Sequence, residues 1–367
     1  MINVLHILGS ADFGGMSSVI LNYYKHIDRQ KIRFDIALTT DSFGIDGEVL
    51  KKLGANFYWI TKKSVNREKY KKQLIQILRN KHYDVIHVHE NETSFYALHI
   101  AKVMGVRIRI AHAHTSAPYV GFKQELRRIV GCFLNYHYST TAIACGKLAA
   151  ERVFGKWNSK KNKCVILPNS VEVEKYNFDK TMRNKIRESL NLEKKYVIGL
   201  VGRISREKNY QFAIELTKRL KKYIDNVTLL CIGDGEEMSA IKEMVKNNHV
   251  EESVILLGKK SDVRNYYNAF DVQIMPSLHE GFPVAAIEGL CSGLKILMSD
   301  TITKEFSACG NCIYLPLNDI DKWIAEILFI YRTEKRESDK HVYEWINSKF
   351  NIDKTKSLLE DIYMGIR

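Results

Sequence analysis

The sequence predicts an α/β protein made of two doubly wound parallel-sheet domains. Three observations lead there. Short β-branched runs alternate with amphipathic helical segments along all 367 residues, and this alternation restarts once, near Pro168-Asn169. The length suits two domains of ordinary size.

In the first half the runs at 4–8, 34–39, 56–60, 85–88, 107–111, 141–144 and 165–167 read as strands, because Val, Ile, Thr and aromatic residues fill a pleated surface well. Between them, segments such as 17–26 and 69–79 carry apolar residues at helical spacing. Largely apolar strands alternating with helices give parallel sheets covered on both faces. The second half opens with a buried strand at 196–202, a loop at 203–208 and a helix from about 209 to 221. Later strands are expected at 227–232, 254–257, 272–275, 295–298 and 313–315, and the chain ends in helical patterns at 339–348 and 353–363. The predicted division is 1–170, 171–340, and a helical segment 341–367 that crosses back to the first domain. In open α/β sheets ligands sit off the carboxyl ends of strands, where strand order reverses. Two such sheets facing each other would enclose a cleft, so the informative residues are those that follow strands.

Composition narrows the class. An apolar content of 45% with only five prolines describes an ordered globular chain. No stretch reaches the ~20 apolar residues needed to span a bilayer. The apolar start, Met1 to Leu8, lacks a basic leader and reads as a strand, so the expected compartment is the cytosol. Seven cysteines, mostly inside apolar runs, read as buried free thiols, and Cys309-Gly310-Asn311-Cys312 has no second pair to complete a zinc site. The net charge of +14 is lopsided. Residues 1–170 hold 26 Lys and Arg against 12 Asp and Glu, whereas residues 171–367 hold 30 of each. A basic half suits an anionic partner, such as phospholipid, a polyprenyl phosphate or nucleic acid; a merely solvated basic face is the plainer alternative.

Several segments carry chemistry. Gly14-Gly15 follows the first strand and opens a helix, where backbone can approach an anion closely. Gly202-Arg203-Ile204-Ser205-Arg206-Glu207-Lys208 follows the first strand of the second half, so Arg203 and Lys208 are able to converge on a diphosphate, with Arg206 the weaker candidate. Gly233-Asp234-Gly235 is read as a structural turn. Glu280-Gly281-Phe282-Pro283-Val284-Ala285-Ala286-Ile287-Glu288 follows the strand at 272–275, which places Glu280 in a loop and Glu288 on the helix beyond it. That separation suits the two ends of an extended ligand, since carboxylates accept paired hydrogen bonds from hydroxyls. Gly281 and Phe282 offer backbone N–H groups nearby.

His87-Val88-His89 and His112-Ala113-His114 each put two imidazoles on one face of a strand end. They read either as a metal site or as hydrogen-bonded structural residues. In 121–136, Phe122, Leu126, Ile129, Val130, Phe133 and Leu134 recur at helical spacing, with Lys123, Arg127 and Arg128 opposite. This is a helix for a membrane interface or a core helix with a basic outer face.

Taken in order, Gly14-Gly15, His114, Leu167-Pro168-Asn169, Gly202-Arg203 with Lys208, Gly233-Asp234-Gly235, and Pro276-Ser277 leading into Glu280 and Glu288 resemble the retaining glycosyltransferases of the GT-B architecture, family 4 (group 1), in the branch that builds bacterial capsules and exopolysaccharides. The resemblance spans nearly the whole chain and implies two facing Rossmann-like domains with the donor in the cleft between them. It implies that Arg203 and Lys208 hold the donor diphosphate, with Gly14-Gly15 facing it. It assigns Glu288 to the ribose, Glu280 with Gly281 and Phe282 to the transferred sugar, His114 to the same sugar near its reacting carbon, Val284 to the donor, and the backbone around Gly258 to the base. Catalysis would fall to His114, Glu280, Arg203 and Lys208. Pro283, Ser170 and Lys295 depart from the usual residues at positions that read as structural.

The implied reaction transfers a hexose from a nucleotide-diphosphate sugar, expected to be a UDP-sugar, with retention, to a polyprenyl-phosphate-linked or saccharide acceptor, and needs no metal or other cofactor. The expected setting is peripheral, with the basic half against an anionic membrane at its cytoplasmic face. Two other classes remain in view: a metal-dependent hydrolase built on the H-x-H pairs, which lacks a completing carboxylate pattern, and a non-catalytic nucleotide or nucleic-acid binding module. The absence of an aromatic-rich basic strand pattern argues against nucleic acid.

Overall fold

The computed structural model describes residues 1–366 except 12–14, 117–120, 162, 261, 334–335 and 337–339. It divides into two compact units, one formed by 1–170 with 352–367 and the other by 171–351.

The first unit is a seven-stranded sheet of β1 (Ile2–Leu8), β2 (Ile32–Leu38), β3 (Asn56–Trp59), β4 (Val85–Val88), β5 (Ile108–Ala113), β6 (Thr141–Ala144) and β7 (Cys164–Ile166), in the order β3-β2-β1-β4-β5-β6-β7. All its pairings are parallel. The second is a six-stranded parallel sheet of β8 (Tyr196–Val201), β9 (Val227–Ile232), β10 (Val254–Leu256), β11 (Val272–Met275), β12 (Ile296–Ser299) and β13 (Cys312–Leu315), in the order β10-β9-β8-β11-β12-β13. Every expected strand is present with ends within two residues. The reason is burial on both faces: every residue of β4, β6, β8, β9, β11 and β12 is buried. A continuous apolar run is what such a strand requires.

Each chain path runs outward from a central strand, then jumps to that strand's other side and runs outward again. Strand order therefore reverses between β1 and β4 in the first unit and between β8 and β11 in the second. The second unit's core gathers Ile198, Leu200, Tyr210, Leu229, Ile274 and Trp323 against the sheet. The expected crossing segment is shorter than 341–367. The helix Lys340–Phe350 packs on the helix Val284–Cys291 of the second unit, and only the helix Ile352–Met364 joins the first, against the helix Gly15–His26.

Candidate functional site

The loops that leave β8 and β11 meet at the second unit's switch point. Leu278 N donates to Glu207 O at 2.8 Å, and Asn209 Nδ2 donates to Pro276 O at 3.1 Å. Asn209 does so from a left-handed backbone, φ 55°, which Asn tolerates better than most residues. Across these stitches Lys208 Nζ donates to Glu280 Oε1, and Ser277 Oγ reaches the same oxygen at 2.9 Å. Both charged side chains are mostly enclosed, at 21% and 12% exposure. Gly202 makes room for this: a Cβ there would stand 3.3 Å from Lys208 Cε. The Gly233 turn braces the same loop. A Cβ on Gly233 would collide with Gly202 O at 1.8 Å, while Ile204 N donates to Asp234 O at 3.0 Å. The reading of Gly233-Asp234-Gly235 as a structural turn fits this bracing.

Arg203 stands apart from Lys208's contacts. Its Nε donates to Glu236 Oε2 at 2.9 Å, and the two side chains are 70% and 55% exposed. Exposed pairs of this kind contribute little energy, so Arg203 can exchange Glu236 for another anion cheaply. Glu288 lies in the second turn of the helix Val284–Cys291, which starts after Pro283. Tyr176 and Tyr267 donate to its two carboxylate oxygens at 2.7 and 2.6 Å. Burial raises the Glu288 carboxyl above its ordinary range, and the two hydroxyls pull it partly back. Gly281 is half-buried and leads into Phe282, whose side chain is core, 5.0 Å from Phe306 and 5.4 Å from Phe350. Gly258, just past β10, takes φ 67° and accepts from Gly233 N at 3.0 Å. Asn209, Tyr176 and Tyr267 were not singled out from sequence, and Ser277 was named only as part of the segment that leads into Glu280.

In the first unit Gly15 starts a helix, as expected, whereas Gly14 lies outside the described residues. His114 follows β5, and its backbone N donates to Asn91 Oδ1 at 2.9 Å. Its ring belongs to an array of five imidazoles, His6 on β1, His87 on β4 and His89 just after it, and His112 on β5 and His114 just after it. His6 pairs in register with His87, and alternation places His89, His112 and His114 on the same face. His6 Nδ1 is 3.1 Å from His89 Nε2, His89 Nδ1 is 2.8 Å from His114 Nε2, and His87 Nε2 is 3.0 Å from His112 Nδ1. Tyr363 Oη closes the row 2.7 Å from His87 Nδ1. Burial depresses all five pKa values, His6 to about 3 and His114 to about 4. The array is therefore neutral at physiological pH. Two triads, His6-His87-His89 and His89-His112-His114, offer ring nitrogens within 4.8 Å of one another. No carboxylate joins either triad among the described residues.

The helix Phe122–Tyr138 corrects one expectation. As a core helix it would bury its apolar stripe; instead Phe122 is 84% and Phe133 65% exposed, with Leu126, Ile129 and Val130 also exposed. Gly131, Cys132 and Asn135 form the packed face. A Cβ on Gly131 would lie 2.6 Å from Glu92 O, so the helix is seated by its smallest residue. Among the described residues no helix is long and apolar enough to cross a membrane.

The pattern described as Glycosyl transferases group 1 matches residues 182–308, and that of Glycosyltransferase Family 4 matches 13–175. EpsF of Bacillus subtilis, named as a glycosyltransferase, is 30% identical over 333 residues, covering 88% of this chain and 86% of its own. A UDP-Gal:alpha-D-GlcNAc-diphosphoundecaprenol alpha-1,3-galactosyltransferase of Escherichia coli is 25% identical over 80% of this chain and 78% of its own. Among solved structures, Anabaena HepE in complex with UDP-glucose superposes with a TM-score of 0.83 at 15% identity, covering 100% of both chains.

Proposed function

The chain belongs to glycosyltransferase family 4 (group 1), and from that membership we propose that it moves a hexose from a UDP-sugar to a lipid-linked or growing cell-surface polysaccharide acceptor, with retention at the anomeric carbon. The observation that carries this reading is the Lys208–Glu280–Ser277 constellation at the β8/β11 switch point. Lys208 has three N–H donors, so it can keep Glu280 and still meet a diphosphate oxygen. Arg203 adds a second cation once it leaves Glu236. Glu280 accepts hydrogen bonds from sugar hydroxyls, Glu288 from the ribose, and the backbone at Gly281, Phe282, Val284 and Gly258 completes the donor contacts. His114 is assigned to the transferred sugar.

In the proposed step the acceptor oxygen bonds to the anomeric carbon as the bond from that carbon to the diphosphate oxygen breaks. The electron pair leaves with the diphosphate, which takes the acceptor's proton on the same face. The protein supplies position and charge stabilisation, with Lys208 and Arg203 facing the negative charge that develops. The uridine donor and undecaprenol-type acceptor are suggested by the names of the Escherichia coli relative and the HepE complex. No metal or other cofactor is assigned a role.

We place the enzyme at the cytoplasmic face of an anionic membrane. The exposed stripe Phe122, Leu126, Ile129, Val130 and Phe133, with exposed Lys123 and Arg127 beside it, has the chemistry of an interfacial helix. Charge agrees, since the excess of +14 lies within 1–170.

A thermal-shift panel with UDP, GDP, ADP and CMP, with and without chelator, tests the donor assignment. A ligand at a hundredfold excess over its Kd adds about 2.7 kcal/mol. The expected result is a chelator-insensitive shift with UDP that Lys208→Ala abolishes. No shift with any nucleotide, or one that requires metal, would overturn the reading.

A further inference from the structure

A neutral imidazole carries one N–H and one lone pair, and the partner of one nitrogen decides which state the other takes. In the first unit this choice passes along a chain. His6 Nδ1 meets His89 Nε2 at 3.1 Å, and His89 Nδ1 meets His114 Nε2 at 2.8 Å. Each contact needs one proton, so only two polarities are possible. Either all three rings are protonated on Nδ1, or all three on Nε2. The second choice would leave His6 with an Nε2–H. That nitrogen is buried and has no hydrogen-bond partner among the described residues. A buried orphan N–H is rarer and costlier than an idle lone pair. The chain therefore runs from His6 Nδ1–H to His89 Nε2, and from His89 Nδ1–H to His114 Nε2.

We propose that His6 and His89 are positioning residues that hold His114 as its Nδ1–H tautomer, so that it meets a hydroxyl of the transferred sugar as an uncharged hydrogen-bond donor. This rests on the assignment of His114 to that sugar. The absence of charge is useful there. Glycosyl transfer builds positive charge at the anomeric carbon, and an imidazolium beside it would raise the barrier.

Nitrogen spacing separates this chain from a metal centre. Two imidazole nitrogens on one tetrahedral ion, with bonds of about 2.0–2.1 Å, lie roughly 3.3 Å apart. The contacts of this chain are 3.1 and 2.8 Å, which are hydrogen-bond distances.

Long-range 1H–15N spectra of the full-length, 15N-labelled protein read the tautomer directly, with His114 signals identified by their loss in His114→Gln. The expected result is an Nδ1–H His114 in the wild type. His89→Val should shift His114 towards Nε2–H and lower kcat about tenfold, the scale of one hydrogen bond, with donor KM unchanged. His89→Asn, whose amide still donates at the Nδ1 position, should restore both. An Nε2–H His114 in the wild type, stoichiometric zinc on His89, His112 and His114, or a folded His89→Val protein with unchanged tautomer or kcat, would each overturn the proposal. If His89→Val fails to fold, the wild-type spectrum still decides. Because the spectrum needs no substrate, failure of the transferase reading would show separately, as absent turnover with the tautomer intact.

Discussion

Lys208 and Glu280, 72 residues apart in sequence, form an ion pair between the loop that leaves β8 and the loop that leaves β11, with Ser277 sharing the acceptor oxygen. Each partner holds the other in place, so the two act as a unit. Lys208→Ala and Glu280→Ala should each lower turnover at least ~100-fold, the scale for a preorganised charge stabiliser. The double variant should be scarcely worse than the poorer single one, because either change already frees the remaining partner. Steady-state rates of donor consumption for the three variants check this. Fully multiplicative losses would mean that the residues work independently.

Tyr176 and Tyr267 fix both oxygens of Glu288. If Glu288 binds the nucleotide ribose, which takes no part in bond breaking, losing one hydroxyl weakens ground and transition states alike. Tyr176→Phe should raise donor KM about five- to tenfold and leave kcat nearly unchanged. A fall in kcat at constant KM would place Glu288 at the chemistry instead.

The histidine array makes stability depend on acid. Burial lowers the folded pKa values of His6, His87, His89 and His112 below the ordinary value of 6.5. Below pH 6.5 the unfolded chain therefore binds more protons than the folded one. Their contribution is full above that pH and is lost as pH falls towards the folded values. Each such ring costs about 1.4 kcal/mol per pH unit in that window. Calorimetric scans at pH 7.5, 6.5 and 5.5 should show Tm falling slightly over the first step and about threefold more over the second, with a shallower fall in His6→Phe. A Tm that does not move between pH 6.5 and 5.5 would contradict the burial of neutral rings.

The exposed helix gives a prediction about lipid. Phe122→Ser with Phe133→Ser removes two rings from the stripe and leaves the packed face of Gly131, Cys132 and Asn135 untouched. Flotation with phosphatidylglycerol vesicles should recover the wild type and lose most of the double variant, while Tm is unchanged. Equal flotation of both would dismiss this face as the contact.

How much of this was legible in sequence depends on whether a signal was local. Strands buried on both faces write themselves as apolar runs, and the residues after them, Lys208 and Glu280, could be picked out by position. Tyr176 gave no sign, because its role is a contact with a residue 112 positions away. His6 was equally silent. It matters only because β1 lies beside β4, and strand order does not follow from spacing. Alternation did place His87 with His89, and His112 with His114. The helix Phe122–Tyr138 showed its apolar stripe clearly but not which side would pack. That was decided by the close seat of Gly131 against Glu92, a fit between two chain segments that periodicity does not register.

The first unit is assembled from both ends of the sequence, with the whole second unit encoded between them. During synthesis its seven strands must wait, open along the surface that receives the helix Ile352–Met364, until a complete second unit has emerged. Tyr363 then docks and reaches His87 at 2.7 Å. A ribosome that stalls anywhere before Ile352 thus releases a product whose histidine array is unsealed, and the first unit is finished only in chains that have been read through to that helix.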